Sequence, residues 1–237
     1  MNHSIRNPVL ARAPLARLRP TQFTVGYAEV EIKAQQWARL GKKRRKIELE
    51  HHVFPAVLGP GKDYFIVDHH HLGIALLEEG MKEVFVTVLD DLSWLKPPIF
   101  WRTMEYRSWT HPYDHRGNRQ DYRDMPQRLT QLEDDPYRSL AGLVRGAGGY
   151  AKDQAPFVEF LWADFFRPRI SARTIKKEPG RATREGLRLA RSPERMADMK
   201  RTVTALALAA GDVTVLNYLT CILMALYLIS CSPGHRC

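Results

Sequence analysis

Asp68, His69, His70 and His71 place one carboxylate and three imidazoles between an apolar run, Tyr64, Phe65, Ile66 and Val67, and a helix-forming run over 72–80. A helix start leaves backbone N–H groups without intrahelical partners, so titratable groups there can meet an anion, a metal or a proton in transfer. Three chemistries are open to such a set. In a hydrolytic centre one histidine acts as general base or acid, while Asp68, joined by Glu29 or Glu31, holds a divalent metal. In a kinase-like centre a glutamate deprotonates a hydroxyl acceptor and the histidines neutralise phosphate charge. In a structural corner Asp68 caps the helix and the histidines are hydrogen-bonded members of a polar cluster. Adjacent side chains cannot all share one helix face, so two of the three histidines are expected to work together.

The elements that must hold this corner follow from local pattern. Phe54, Pro55, Ala56, Val57 and Leu58 read as a short strand, and Gly59, Pro60, Gly61, Lys62 and Asp63 as the turn that returns residues 64–67 as its hairpin partner. The β-branched run over 84–89 supplies a further strand after the helix. Upstream, residues 28–40 form a helix with Val30, Ala34 and Trp37 on one face. Strand, turn, strand, helix, strand is a compact α+β unit. Beyond it, residues 93–127 read as two short helices and a loop, and His111 to Asn118 is either a ligand-contacting turn or a packed surface loop. Residues 137–146 and 157–166 read as helices, the second burying Phe157, Phe160, Leu161 and Phe165.

Charge directs attention to partners. The 237 residues carry a net charge of +10, with an ordinary 44% hydrophobic and 26% charged residues, so a folded chain is expected that favours polyanions. Lys42, Lys43, Arg44, Arg45 and Lys46 form one basic cluster. Arg181, Arg184, Arg188, Arg191 and Arg195 recur every three or four residues, which puts them in one stripe of a helix. Each can be a phosphate-contacting surface or simply a solvated face. The apolar run over 213–229 is read as a buried C-terminal helix, with a membrane anchor as the alternative. Cys221, Cys231 and Cys237 form no disulfide framework and no zinc pattern, and no Sec-type signal peptide is visible, so a cytoplasmic setting is expected.

Residues 18–95 resemble the ParB/sulfiredoxin superfamily, in particular its ParB-like nuclease branch. The resemblance rests on Leu18, Arg19, Pro20, Thr21 and Gln22, on residues 25–33, on Pro55 to Gly61, and on Tyr64 to His71; residues 160–166 also look like that branch. It implies a small mixed sheet with helices, followed by a mainly helical C-terminal region. The expected parts are a flexible basic arm over 1–17, the ParB/sulfiredoxin-like domain over 18–95, a helical extension packing on it over 96–170, and a basic segment with an apolar helix over 171–237. The superfamily's corresponding turn reads approximately Asp-Gly-His-His-Arg and holds phosphates. Here His69 stands for the Gly and Leu72 for the Arg. His70 and His71 match the family's histidines, so they are the expected catalytic pair, with Asp68, Glu29 and Glu31. Phosphate or nucleotide contacts are expected from His69, Gly59, Gly61, Lys62 and Gln22, and nucleic-acid contacts from Lys42, Lys43, Arg44, Arg45, Arg181, Arg184 and Arg188. Mg2+ or another divalent metal, and CTP, ATP or ADP, are the expected cofactors. The implied function is a nuclease or a nucleotide-dependent phosphoryl-transfer protein. The alternative is a non-catalytic partition-type module that binds nucleic acid.

Overall fold

Pairing with a long partner makes a strand of a short N-terminal run: Val9–Pro14 (β1) pairs antiparallel with Glu83–Asp91 (β5), Val9 opposite Val88 and Pro14 opposite Glu83. The structure, a computed structural model, describes residues 9–151 and 156–192. Of the arm expected over 1–17, residues 9–14 are instead β1 and Leu15–Arg17 a short 3-10 turn, while residues 1–8 lie outside the described residues. Ala11 and Ala13 turn inward and Arg12 outward, the period-two pattern of a strand with one covered face. Pro14 closes the strand, where a strand tolerates it.

Four strands form the main sheet in the order β1, β5, β3, β4. Phe54–Leu58 (β3) runs parallel to β5, and Tyr64–Ile66 (β4) closes an antiparallel hairpin with β3, Leu58 opposite Tyr64 and Ala56 opposite Ile66. The mixed α+β architecture is as the resemblance implied. Between β4 and β5 lies His70–Glu78 (α3), buried from His70 through Leu76. Tyr27–Ala38 (α1) packs against α3, burying Val30 and Trp37, each apolar side chain contributing about 1.5–3 kcal/mol of transfer free energy. Lys42–His51 (α2) buries no residue.

Two short strands, Thr24–Val25 (β2) and Glu133–Asp134 (β6), pair in parallel and tie the two ends of this unit together. Pro97–Tyr106 (α4) seats Phe100, Trp101 and Met104 in a second apolar cluster with Phe65 and Met125. The chain divides into two compact units at Asp135 and Pro136. That boundary falls well beyond residue 95, because β6 belongs to the sheet pair at the start of the first unit.

The second unit is helical. Pro136–Gly146 (α5), Val158–Phe166 (α6), Ala172–Lys177 (α7) and Pro179–Ala190 (α8) enclose Leu140, Val144, Leu161, Trp162, Phe165 and Phe166. Small residues let α8 approach: a Cβ on Gly186 would fall 2.5 Å from Val144 Cγ2. Among the described residues no helix is long and apolar enough to cross a membrane. The run over 213–229, Arg195 and the three cysteines lie outside the described residues.

Candidate functional site

The corner is built from β4, α3 and the segment that enters α1. Asp68 is exposed, and its Oδ1 accepts from the His69 N–H at 2.6 Å. His69 is the residue before α3 and is left-handed, at φ 67 and ψ 19. Its ring meets Phe54 edge to face at 5.4 Å and lies 6.5 Å from His52, so packing holds a conformation that a non-glycine residue adopts at a cost of about 1–2 kcal/mol. His69 Nδ1 stands 3.6 Å from Asp68 Oδ2. The His69 side chain, then its N–H and its charge, hold the Asp68 carboxyl well below the usual carboxylate range, although partial desolvation works the other way.

His70 and His71 face inward. His70 Nε2 accepts from the Thr21 N–H at 3.3 Å, and His71 Nε2 accepts from the Gly26 N–H at 3.1 Å. Both imidazoles are therefore written with the proton on Nδ1. Two successive histidines in one helical turn thus clamp a loop that would otherwise bury unpaired amides. Thr21 is the centre of this clamp. Its hydroxyl donates to the Ile66 carbonyl at 2.8 Å, and its carbonyl accepts from Thr110 Oγ1 at 2.7 Å and from the His111 N–H at 2.9 Å. Gly26 precedes α1, whose Tyr27 N–H donates to Asp134 Oδ1 at 3.2 Å. In the first turn of α1, Glu29 brings Oε2 to 3.7 Å from His71 Nε2.

The loop after α4 adjoins the clamp through Thr110 and His111. Arg119 places its two terminal nitrogens on the Glu105 carboxylate at 2.6 and 2.8 Å, and Tyr122 stacks on Trp101 with ring centroids 5.7 Å apart. Burial, then the Glu105 carboxylate, raises the Tyr122 hydroxyl above its ordinary range. The loop is fixed rather than draped. A Cβ on Gly73 would come 2.7 Å from Leu129 Cδ1, so α3 also touches the far end of this segment. Among the described residues two open cavities stand out. One, of about 540 Å³, is bounded by Phe23 and residues from Asp114 to Glu133; the other, of about 700 Å³, lies between α2 and the β1/β5 end of the sheet. Neither is lined by Asp68 to His71.

The family model described as "Putative ParB-like nuclease" matches residues 11–168, well over half of the chain. The chain belongs to the ParB-like nuclease family. The crystal structure of protein Atu1540 from Agrobacterium tumefaciens is similar to it at 41% identity and a TM-score of 0.75, over 80% of this chain and 94% of that one. No protein of curated function matches the chain.

Against that family's turn, the two departures have different physical consequences. His69 keeps the left-handed backbone that a glycine would take, so the turn survives the substitution. Leu72 is buried in the main core, so the guanidinium of the family pattern is replaced by packing. The other residues singled out in sequence divide clearly. Glu29 comes to the corner; Glu31, two residues on, is exposed away from it. Gln22 is buried with its amide nitrogen on the Thr24 carbonyl at 2.6 Å. Gly59, Gly61 and Lys62 lie at the closed end of the β3/β4 hairpin, whereas Asp68 follows its open end, so the structure separates them from the corner. Lys42, Lys43 and Lys46 are exposed on α2, while Arg44 pairs with Glu48 at 2.8 Å and Arg45 reaches the Leu40 carbonyl and Glu79. In the second unit Arg181 pairs with Glu178, Arg188 pairs with Glu185 and Arg184 is exposed. The acidic partners of Arg181 and Arg188 offset part of the positive charge of that stripe. Thr21 and Gly26 carry the resemblance without a role of their own, and Thr110 carries none; only their backbone or hydroxyl groups act, and residue type carries little signal for that.

Proposed function

We propose that this ParB-like protein binds the phosphate of a nucleotide or nucleic acid at the Asp68–His69 corner and hydrolyses a phosphodiester there. The observation that supports the reading most is the left-handed His69: a strained residue at a helix start, held by packing, persists where the backbone geometry itself is useful. His69 presents an imidazole that, once protonated, pairs with phosphate in place of the missing guanidinium. Asp68 remains a carboxylate and orients it. His70 and His71 are positioning residues, since their Nε2 lone pairs already accept from Thr21 and Gly26. Water attacks phosphorus, Glu29 takes its proton, and the bond from phosphorus to the departing oxygen breaks.

Among the described residues no group of three or more His, Cys, Asp or Glu side chains is placed to hold a metal. A Mg2+ ion, which keeps several waters and shares its shell with substrate phosphate, fits the single exposed Asp68 carboxylate. A metal held by protein groups alone does not. The test is cleavage of bis(p-nitrophenyl) phosphate by the full chain with and without Mg2+. Asp68→Asn is expected to lower the rate about a hundredfold or more, and a rate unchanged by that substitution sinks the proposal.

A second reading has its own observation. The α2 helix buries nothing and turns Lys42, Lys43 and Lys46 to solvent, which suits a nucleic-acid backbone. Affinity for duplex DNA should then fall linearly with the logarithm of salt concentration, and Lys42→Gln with Lys43→Gln should shallow the slope. Affinity that does not change with salt rules it out.

A further inference from the structure

The apolar cluster around Phe65 fixes which way residues 92–106 turn. Leu92, Leu95, Phe100, Trp101 and Met104 pack into it. On the opposite side of α4, Ile99, Arg102 and Tyr106 recur at three- and four-residue spacing, a row about 10 Å long that no described element covers. Trp94, two residues before the cap Lys96, joins them. Trp94 is 76% exposed and Tyr106 84%, so both rings project from the surface. Neither of the two cavities includes any of these residues. Of the large apolar or aromatic side chains exposed among the described residues, Trp94, Ile99 and Tyr106 are gathered in this one stretch, and such a gathering marks an interaction surface.

The charge left free on this face has one sign. Lys96 and Arg102 are exposed and their side chains form no ion pair or hydrogen bond among the described residues. The neighbouring carboxylates are engaged: Glu105 holds Arg119 and Tyr122, Asp90 holds Arg107, and Asp91 accepts from Ser93. An anionic partner is therefore the complementary one. Trp94 and Tyr106 each join an apolar ring to a polar tip that has no partner among the described residues. Such side chains settle at the boundary between lipid tails and headgroups, and cations beside them meet anionic headgroups. Rings that project, with no recess between them, match the plane of a bilayer better than a bound peptide.

We propose that the outward face of α4, together with Trp94, docks on an anionic lipid surface. Ile99 and the two rings enter the headgroup boundary, and Lys96 and Arg102 meet the headgroup charge. The full chain should be sedimented with vesicles of phosphatidylcholine alone and of equal parts phosphatidylcholine and phosphatidylserine, and titrated separately with poly-L-glutamate and oligothymidylate. Binding to the anionic vesicles is expected to be about tenfold or more tighter than to the neutral ones, and to weaken with salt. Trp94→Ala with Tyr106→Ala should lower that affinity about tenfold, and Lys96→Gln with Arg102→Gln should remove most of the preference for phosphatidylserine. Tryptophan emission of the wild type should shift to shorter wavelength on the anionic vesicles, and Trp94→Phe should lose that shift. All four substituted side chains are exposed, so the fold survives, which thermal melting of each variant checks. No binding to anionic vesicles, equal affinity for the two compositions, or equal binding by wild type and the double alanine variant overturns the proposal; the last result moves attachment to other residues, the apolar run over 213–229 among them. Trp94-dependent binding of poly-L-glutamate or oligothymidylate without binding of vesicles overturns it in favour of an acidic polypeptide or a single strand.

Discussion

Two of the described helices start from a left-handed residue that is not glycine: α3 from His69 at φ 67, and α6 from Phe157 at φ 63. The local strain is alike, but the first turns differ in kind. After Phe157 come Val158, Glu159 and Phe160, of which Val158 and Phe160 are buried and Glu159 pairs with Arg145. After His69 come two imidazoles that reach back to backbone amides 45 and 49 residues earlier. Strain at α6 is offset by apolar packing, and strain at α3 accompanies a polar clamp with an exposed carboxylate outside it. A left-handed cap is therefore not a site by itself; what its first turn does with polar groups makes the difference.

That contrast can be broken first on stability. Removing the ring in Phe160→Ala should cost about 3–5 kcal/mol, read as a lower urea midpoint, because α6 depends on apolar burial. A loss under about 1 kcal/mol would show that the α6 start is not held by packing. His70→Ala should cost less, about 1–3 kcal/mol, by leaving the buried Thr21 N–H without its acceptor. Amide exchange at Thr21 should accelerate in the same variant. Unchanged protection there would mean that the clamp does not hold the loop.

The sequence showed the corner better than it showed the clamp. Residues 54–67 read correctly as a hairpin, since the turn chemistry of Gly59 to Asp63 and the apolar runs on either side agree. The start of α3 after Asp68 and His69 was also legible, because a polar cluster interrupts an apolar run there. The direction in which His70 and His71 point was not. Their partners are main-chain amides, and an amide is present at almost every position. β1 was missed because its six residues contain two alanines, an arginine and a proline, and only pairing with β5 makes them a strand. The cavity beside residues 114–133 was missed for another reason: it is assembled from loop glutamines whose orientation is set by hydrogen bonds within the loop itself, and that loop has no periodic pattern to read.

A smaller effect sharpens the polar side of the comparison. The Asp68 carboxyl sits below its unfolded value, so its interaction with His69 stabilises the fold above the ordinary carboxyl range and is lost as pH falls through the depressed value. The side chain is 74% exposed, so solvent screening limits the effect to a few tenths of a kcal/mol. Wild type should exceed Asp68→Asn in stability by a constant amount down to about pH 5 and begin to converge with it only below about pH 3.9, as pH falls toward the depressed value, in thermal melts. A difference that grows as pH falls would contradict the assignment.

Inorganic phosphate binding to His69→Gly and Phe157→Gly tests the central claim most directly. Each substitution relieves a left-handed residue, and only the first removes an imidazole from the proposed phosphate corner. Titration followed by phosphorus NMR should show binding about tenfold weaker in His69→Gly and the wild-type affinity in Phe157→Gly. Equal affinity in all three proteins would contradict a phosphate site at this corner.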